Sequence, residues 1–407
     1  MTTIAKTRTS IILLVAMLAA SILLNYIDRG AVGISAPLMT AELGLTATQF
    51  GIAVSAFFWV YAPIQLLVGW LCDRFCVYRV FALGLIVWAL STIATAFVGG
   101  FAILLALRLL LGLGESIAFP GSAKIIAAEV PATQRGLANA MIAAALAFGP
   151  ALGTFAGGTI LDLHGWRAVF LCFGLVTLLW LLPWHFVSRP FRAATMTNAT
   201  KPPRVLGLSR KPQLWWSSGA HFCSNYAFYF LLAWLPLYLT KNRGMSIADM
   251  TAMTTAVFVA QGVAALSLGW LSDHLVRGGA NEGRVRRYLM LFAQIGIAVA
   301  ILGAARAETN TSLFAWLIIG GIAIGVSATN IFAIAQIFAG PRAAGSWTGV
   351  QNAFGNTSGI VGPIVTGMII DQTGSYLAAF ALAAGVAAVG AAIWLFALRR
   401  VEELRFD

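Results

Sequence analysis

Four charged side chains, Asp28, Arg29, Arg108 and Glu115, fall inside long apolar stretches of this 407-residue chain. An arginine guanidinium is a planar fork of donors that matches a carboxylate and keeps its charge. A buried carboxyl balances desolvation, which favours its protonated form, against nearby arginines, which favour the charged one. Two arginines and two acids in one apolar setting can therefore hold an organic anion and pass protons. The expected roles are Arg29 and Arg108 on a substrate carboxylate, with Asp28 and Glu115 carrying protons, undivided between the two acids. At mid-membrane each such charge costs about 2.5–3.5 kcal/mol, and four unpaired would cost ~10–14 kcal/mol. They must pair, line an aqueous cavity, or both; two buried ion pairs that merely lock the structure are the bland alternative.

Helical spacing groups further side chains with these four. Ser21, Asn25 and Asp28 stand at i, i+4 and i+7, a polar stripe on one helix face. Arg108, Gly112, Glu115 and Phe119 repeat that spacing, as do Phe58, Tyr61 and Gln65. Arg108 and Glu115 share a face but lie about 10 Å apart along the axis, too far for one direct salt bridge. Tyr61 and Gln65 need hydrogen-bond partners in an apolar medium.

The elements that position these residues follow from composition. Hydrophobic residues make up 60% of the chain and charged residues 10%, too little charge to coat a water-facing surface or to keep a chain disordered. Apolar runs predict twelve membrane-spanning helices near 10–36, 47–71, 78–98, 101–125, 135–160, 166–187, 214–239, 248–271, 287–305, 313–338, 345–369 and 376–398. The loops between them leave no room for a catalytic or nucleotide-binding domain. Gly69-Trp70-Leu71-Cys72-Asp73-Arg74 recurs 200 residues later as Gly269-Trp270-Leu271-Ser272-Asp273-His274. Gly149-Pro150 and Asp162 are echoed by Gly362-Pro363 and Asp371. The expected architecture is thus all-α, two pseudo-symmetric six-helix halves, 1–187 and 214–407, joined by a basic, proline-rich linker at 188–213.

The net charge of +12 reports orientation. An even number of spans puts both termini on one side, together with twenty of the 26 basic residues: Lys6, Arg8, Arg74, Arg79, Lys124, Arg135, Arg189, Arg192, Lys201, Arg204, Arg210, Lys211, Arg277, Arg284, Arg286, Arg287, Arg342, Arg399, Arg400 and Arg405. Arg167, Lys241, Arg243 and Arg306 lie opposite. The positive-inside rule makes the first side cytoplasmic, in a cell inner (plasma) membrane. The basic, apolar N-terminus imitates a signal peptide, but its apolar run continues to Asp28-Arg29, which reads as an uncleaved first span. The cytoplasmic sequon Asn198-Ala199-Thr200 carries no meaning there. Cys72, Cys76, Cys172 and Cys223 read as structural, with no ligand set for zinc.

Several segments carry a family resemblance. Gly69-x3-Asp73-Arg74-x4-Arg79 resembles the loop 2–3 signature of the major facilitator superfamily, with Cys76 where that pattern has Gly. Arg108-x3-Gly112-x-Gly114 resembles a second signature of the same superfamily. Tyr26-Ile27-Asp28-Arg29, the continuation to Glu115 and Phe119-Pro120, and Trp234-Leu235-Pro236-Leu237-Tyr238-Leu239 are similar to its anion:cation symporter branch. That branch includes sugar-acid, hexuronate and phthalate permeases and relatives of sialin and the vesicular glutamate transporters. The resemblance implies a monomeric secondary transporter that imports an organic carboxylate anion by proton symport through alternating access. It implies the same roles for Asp28, Arg29, Arg108 and Glu115, and adds Tyr61 and Asn352 as ligand contacts. Sugar-acid members carry a polar contact in span 5 where this chain has Ala143-Ala144-Ala145-Leu146, which favours a bulkier or more apolar anion.

The C-terminal half has no intramembrane charge but places Ser217, His221, Ser224 and Asn225 in span 7, Asn330 and Gln336 in span 10, and Gln351, Asn352 and Asn356 in span 11. Asn225, Asn352 and Asn356 join Gln65 as candidate ligand contacts; helix–helix hydrogen bonding is the plain alternative. Gly69, Asp73, Arg74, Arg79 and Asp273 are candidate gating residues at the cytoplasmic helix ends. Gly153-x3-Gly157 and Gly321-x3-Gly325 permit close helix packing. No Walker A, H-E-x-x-H or G-x-S-x-G pattern occurs, so neither ATP coupling nor hydrolytic chemistry is expected, nor any cofactor, metal or nucleic-acid partner. The rival reading is a proton-coupled exporter of the same fold, for which Gly149-Pro150-x2-Gly153 speaks and Arg29 and Arg108 do not.

Overall fold

The computed structural model describes residues 8–131, 134–194 and 208–404. The linker segment 195–207, with the sequon at Asn198, and Lys6, Lys201, Arg204 and Arg405 lie outside these residues, as do the side chains of Gly69, Asp73 and Arg342. Lipid offers no partner for a free N–H or C=O, so every crossing must close its own backbone hydrogen bonds. Twelve helices among the described residues are long and apolar enough to cross a membrane. In chain order, spans 1 to 6 are Arg8–Glu42, Ala47–Gln65, Val77–Thr95, Phe101–Glu129, Leu137–His164 and Trp166–Arg192. Spans 7 to 12 are Pro212–Asn242, Ile247–Arg277, Glu282–Arg306, Asn310–Gly340, Ala343–Thr373 and Tyr376–Ala397. Each matches an expected span. Several run further than their apolar stretch, because helical hydrogen bonding carries on past it: span 1 continues through Pro37 to Glu42.

The chain divides into two compact units. Unit 1 comprises 1–45, 52–200 and 245–251; unit 2 comprises 46–51, 201–244 and 252–407. The first turns of spans 2 and 8 are thus each assigned apart from the remainder of their own helix.

Irregular backbone is confined to a few places. Span 4 is interrupted at Ser116–Ile117, directly after Glu115, so that Phe101–Glu115 and Ala118–Glu129 form two helical pieces. Span 7 ends in a π turn at Tyr238–Asn242. Spans 10 and 11 run on from Asn310 to Asn356 with a break at Gly340, whose φ of 60° is left-handed and open to glycine at little cost. Asn281, Thr309 and Ser375 cap the starts of spans 9, 10 and 12 through their side chains.

Small residues bring the helices together, as in other membrane bundles. A Cβ at Gly112 would overlap the Phe57 carbonyl of span 2, and one at Gly325 the Gln261 carbonyl of span 8. Span 4 of unit 1 and span 10 of unit 2 therefore use the same device at corresponding places. Gly153 packs on the Ile27 backbone and Gly321 on Val257, so the two expected small-residue pairs each put at least one member at a helix crossing. Large apolar side chains such as Leu83, Phe97, Phe155, Leu182 and Phe292 remain exposed, as a surface facing lipid tails requires.

Two of the basic residues expected on the non-cytoplasmic face are structural clamps. Arg167 pairs with Glu42 at 2.8 Å and donates to the Ala96 carbonyl at 2.7 Å. Arg243 donates to the carbonyls of Ala307 and Glu308 at 2.9 and 3.2 Å and to Asn310 Oδ1 at 3.1 Å. Each holds loop backbone that would otherwise leave acceptors unsatisfied.

Gly325→Val places two methyl groups against the Gln261 backbone. Overpacking of this kind costs ~1–3 kcal/mol, so thermal unfolding of the purified variant in detergent is expected at a lower temperature than the parent's.

Candidate functional site

Span 1 positions three of the key side chains, and helical geometry sends them in two directions. At 3.6 residues per turn, Arg29 lies about 40° around the axis from Asn25 and Asp28 about 60° the other way. Asn25 and Arg29 therefore meet span 4, while Asp28 turns to span 3. Asn25 Nδ2 donates to Glu115 Oε2 at 2.7 Å, and Arg29 Nε donates to the same oxygen at 3.1 Å. Glu115 is fully buried and Arg29 nearly so. One of the two possible buried ion pairs is thus present, and it joins Glu115 to Arg29 rather than to Arg108.

Three aromatic rings enclose the Arg29 guanidinium. Its central carbon lies 4.5 Å from the Tyr61 ring centroid, 4.9 Å from Tyr26 and 5.0 Å from Phe57. Cation–π attraction is worth most where water is excluded, and here the rings replace part of the lost hydration. Phe57 and Tyr61 stack at 4.9 Å, which fixes the wall, and both Arg29 and Gln65 reach the Tyr61 hydroxyl. Arg108 lies beside the same aromatic group: its guanidinium sits 5.3 Å from Phe57, and its Nε donates to the Ala53 carbonyl at 3.4 Å. A close crossing of span 4 on span 2 at Gly112 brings Arg108 there.

Glu115 Oε1 and Asn25 Oδ1 are buried acceptors without a hydrogen-bond partner among the described residues. An unmet acceptor costs ~1–3 kcal/mol and more when charged. A proton on Glu115, or a donor brought in by a ligand, would satisfy the first.

Asp28 is differently placed. It accepts from Trp88 Nε1 at 2.5 Å and from Thr92 Oγ1 at 2.7 Å, both on span 3. Neither partner was visible as functional in the sequence, since Trp88 and Thr92 fall four residues apart in an otherwise apolar helix. The i, i+4 spacing of an indole and a hydroxyl facing an intramembrane acid was the available signal. Ser21, expected on the same stripe, bonds back to the Leu18 carbonyl at 2.7 Å.

Unit 2 holds a neutral polar group. His221, Asn225 and Tyr229 follow each other at i+4 along span 7. Tyr229 donates to Asn356 Oδ1 at 2.7 Å, and Asn356 Nδ2 donates to the Asn352 carbonyl at 3.0 Å. Asn356 is thereby occupied at both ends within the protein, whereas Asn225 and Asn352 are half-buried. His221 is buried between Phe332, 5.3 Å away, and Gly355. Gln294 Nε2 donates to Ser224 Oγ at 2.5 Å; like Tyr229, it was not singled out in the sequence. Gln351 accepts from Trp347 and donates to the Ile331 carbonyl, a brace between spans 10 and 11.

Among the candidate gating residues, Arg74 lies 5.6 Å from the Trp70 ring and Arg79 is exposed. In the second copy Asp273 accepts from Arg286 at 2.8 Å, and His274 stacks on Trp270 at 5.3 Å.

Removing one partner of a buried ion pair costs ~3–5 kcal/mol because the other charge is stranded. Glu115→Leu should therefore lower the thermal unfolding temperature far more than Glu115→Gln, whose carbonyl still accepts from Arg29 and Asn25. Equal, large losses in the two purified variants would show that the charge, which both remove, outweighs the hydrogen bonds that only the amide keeps.

Comparison with known proteins identifies the family. The family model described as Major Facilitator Superfamily matches residues 18–281 and 217–406. The chain is 30% identical over 395 residues to a probable sulfoacetate transporter of Cupriavidus necator, covering 91% of this chain and 90% of that protein. It is 29% identical over 376 residues to a hexuronate transporter of Bacillus subtilis, covering 89% of each. A probable galactarate/D-glucarate transporter of Escherichia coli is 29% identical over 389 residues, 86% of this chain and 85% of that one. Among solved structures, a bacterial homologue of the human lysosomal transporter Spinster, in an inward-facing and occupied conformation, superposes with a TM-score of 0.81 at 20% identity, over 97% of this chain and 98% of that one. Twelve apolar helices, an internal repeat and a family model spanning nearly the whole length agree: this chain belongs to the Major Facilitator Superfamily.

Proposed function

We propose that this transporter carries an organic carboxylate anion together with protons, inward across the plasma membrane, with both termini in the cytoplasm. The observation that carries the reading is the Arg29–Glu115 pair, in which Asn25 and three aromatic rings hold a guanidinium against an internal carboxylate. That carboxylate occupies the place a substrate carboxylate would take on the same fork. Charged Glu115 competes with the substrate for Arg29, whereas protonated Glu115 gives up the charge-assisted bond and leaves the guanidinium to the incoming anion. Proton and anion then bind together, which is the condition for symport. Arg108, beside Phe57, supplies the second cation, with Tyr61 and Gln65 as neutral donors. Asp28 is the second proton-carrying acid of the proposal, and Asn225, Asn352 and Asn356 are the ligand contacts assigned to the C-terminal half. Asp73, Arg74, Arg79, Asp273 and Gly69 are assigned to cytoplasmic gating.

The relatives named above, transporters of hexuronate and, by their probable assignments, of sulfoacetate and galactarate/glucarate, carry acid anions, which supports the class. The wall beside Tyr26 supports a less polar member of it. Ile22, Ala118 and Ala145 form a buried apolar cluster packed by Tyr26, Phe119, Ile142 and Leu146. Apart from the Tyr26 hydroxyl it is wholly apolar, and an aromatic carboxylate or a carboxylate-bearing chelate suits it better than a sugar acid.

Uptake into right-side-out vesicles under an inward proton gradient tests the proposal. Thermal-shift screening of organic acids supplies the substrate, and Arg108→Ala should then abolish accumulation; full uptake by that variant removes the central claim. Glu115→Gln should retain binding but accumulate substrate no better with a proton gradient than without one. For a monoanion moving with more than one proton, an inside-negative potential should accelerate uptake, by up to ~2.3 kcal/mol of driving force per 100 mV for each net charge.

A further inference from the structure

We infer that Asp371 is a further functional residue of transport: its carboxylate caps the N-terminus of span 2, and this cap is a latch on the outer side that must open in each cycle. The inference rests on the transport reading for its cycle, and on the cap alone for its structure. Thr46 starts span 2 with a reciprocal capping box. Thr46 N donates to Gln49 Oε1 at 3.1 Å, and Gln49 N donates to Thr46 Oγ1 at 3.1 Å. That leaves the amides of Ala47 and Thr48, which an isolated helix would give to water. Asp371 takes both: Ala47 N donates to Oδ1 at 3.0 Å and Thr48 N to Oδ2 at 2.7 Å. The Thr46 and Thr48 side chains also reach this carboxylate. The two amides and the positive end of the helix dipole suit a bidentate anion, so this first turn carries its own cap and one supplied from span 11.

The packing around the cap is built for close approach. Three positions along one face of span 11, Pro363, Gly367 and Asp371, recur at i+4. A Cβ at Gly367 would overlap the Ala47 carbonyl, and one at Gly51 would overlap the Pro363 carbonyl. Phe50 meets Trp234 of span 7 edge-on at 5.3 Å. Together these place Thr46–Gly51 within unit 2, while the remainder of the same helix belongs to unit 1. A carboxylate, two glycines and an aromatic pair thus pack these six residues against spans 7 and 11. Span 8 shares the close packing, since a Cβ at Gly158 of span 5 would overlap Thr251, but not the carboxylate cap. Its first turn, 245–251, is capped locally, Asp249 N donating to Ser246 Oγ and Ser246 Oγ to Asp249 Oδ2. Asp162, the repeat partner of Asp371, is exposed there. The sequence echo between the two acids is therefore not an echo of role: Asp371 latches and Asp162 does not.

The interaction is well suited to a reversible latch. It uses no long side chain and strands no charge in lipid when broken, because the carboxylate and the Ala47 and Thr48 amides lie at an exposed helix end. The test needs neither substrate nor proton gradient, so its failure is separable from failure of the anion-symport reading. A single reporter, Val54→Cys, one turn beyond Phe50 on the same face and buried, is introduced with Cys72, Cys76, Cys172 and Cys223 each replaced by Ser. Maleimide labelling of the purified protein in detergent is then timed. With Asp371→Ala the reporter should label about two- to ten-fold faster, the shift in population that loss of a charged helix cap produces. Asp371→Asn, which keeps one acceptor, should fall between. Gly367→Ala, which wedges span 11 from Ala47 without touching charge, should also accelerate labelling and decides the matter if Asp371→Ala does not fold. Unchanged labelling in a variant that elutes as the parent does overturns the latch.

Discussion

A carboxylate with no access to water must find a cation or a proton, and Glu115 is such a group. Much of unit 1 is arranged around that requirement. Glu115 ends the first helical piece of span 4, just before the interruption at Ser116–Ile117. Arg29 and Asn25 converge on one of its oxygens from span 1. The rings of Tyr26, Phe57 and Tyr61 surround the guanidinium in place of solvent. Phe57 in turn needs span 2 close to span 4, which Gly112 permits. Replacing such a pair with apolar residues can leave stability unchanged or raise it, so its presence argues for use more than for support.

Most of the fold is legible in the sequence because lipid leaves few alternatives. Apolar runs of about 20 residues have to be helices, and all twelve expected spans have a counterpart. The four intramembrane charges are legible for the same reason: in hydrocarbon, scarcity marks them out. Their partners are not. The stripe Ser21, Asn25, Asp28 reads as one face, yet a difference of about 60° around the axis sends Asp28 to Trp88 and Thr92 while Asn25 turns to Glu115. Which neighbouring helix lies on each side is decided by tertiary packing, and a single helix carries no record of it. Tyr229 and Gln294 escaped notice because a tyrosine or a glutamine among apolar residues has many uses, and only its partner tells which.

The internal repeat illustrates the same limit from another direction. Gly112 and Gly325 do keep one job in both halves, close backbone contact between the fourth and second span of each. Such contact depends only on the absence of a side chain, and the fold imposes it twice. Charged positions have diverged. Asp273 pairs with Arg286, span 4 carries Arg108 and Glu115 where span 10 is neutral, and Asp371 caps a helix that Asp162 has no counterpart for. Pseudo-symmetry preserves packing and releases chemistry, because a steric demand recurs with the backbone whereas a charge needs a particular partner.

Span 1 is where these strands meet. Through Asn25 and Arg29 it is bonded to span 4, and through Asp28 to span 3; along its opposite side Gly149 and Gly153 of span 5 lie against Tyr26 and Ile27. The glycine contacts are apolar and indifferent to protons. The two polar contacts are not, and they end on different acids. Neutralising Glu115 weakens the bond to span 4 and frees a guanidinium, while neutralising Asp28 removes an anionic acceptor from two neutral donors on span 3 and frees no charge. In the proposed cycle the first change alters what the site can bind, and the second how firmly span 1 is held to its neighbour. Two buried acids one helix apart are thus inequivalent by construction, and a transporter that uses both can couple one proton to the ligand and the other to movement of the helix that carries it.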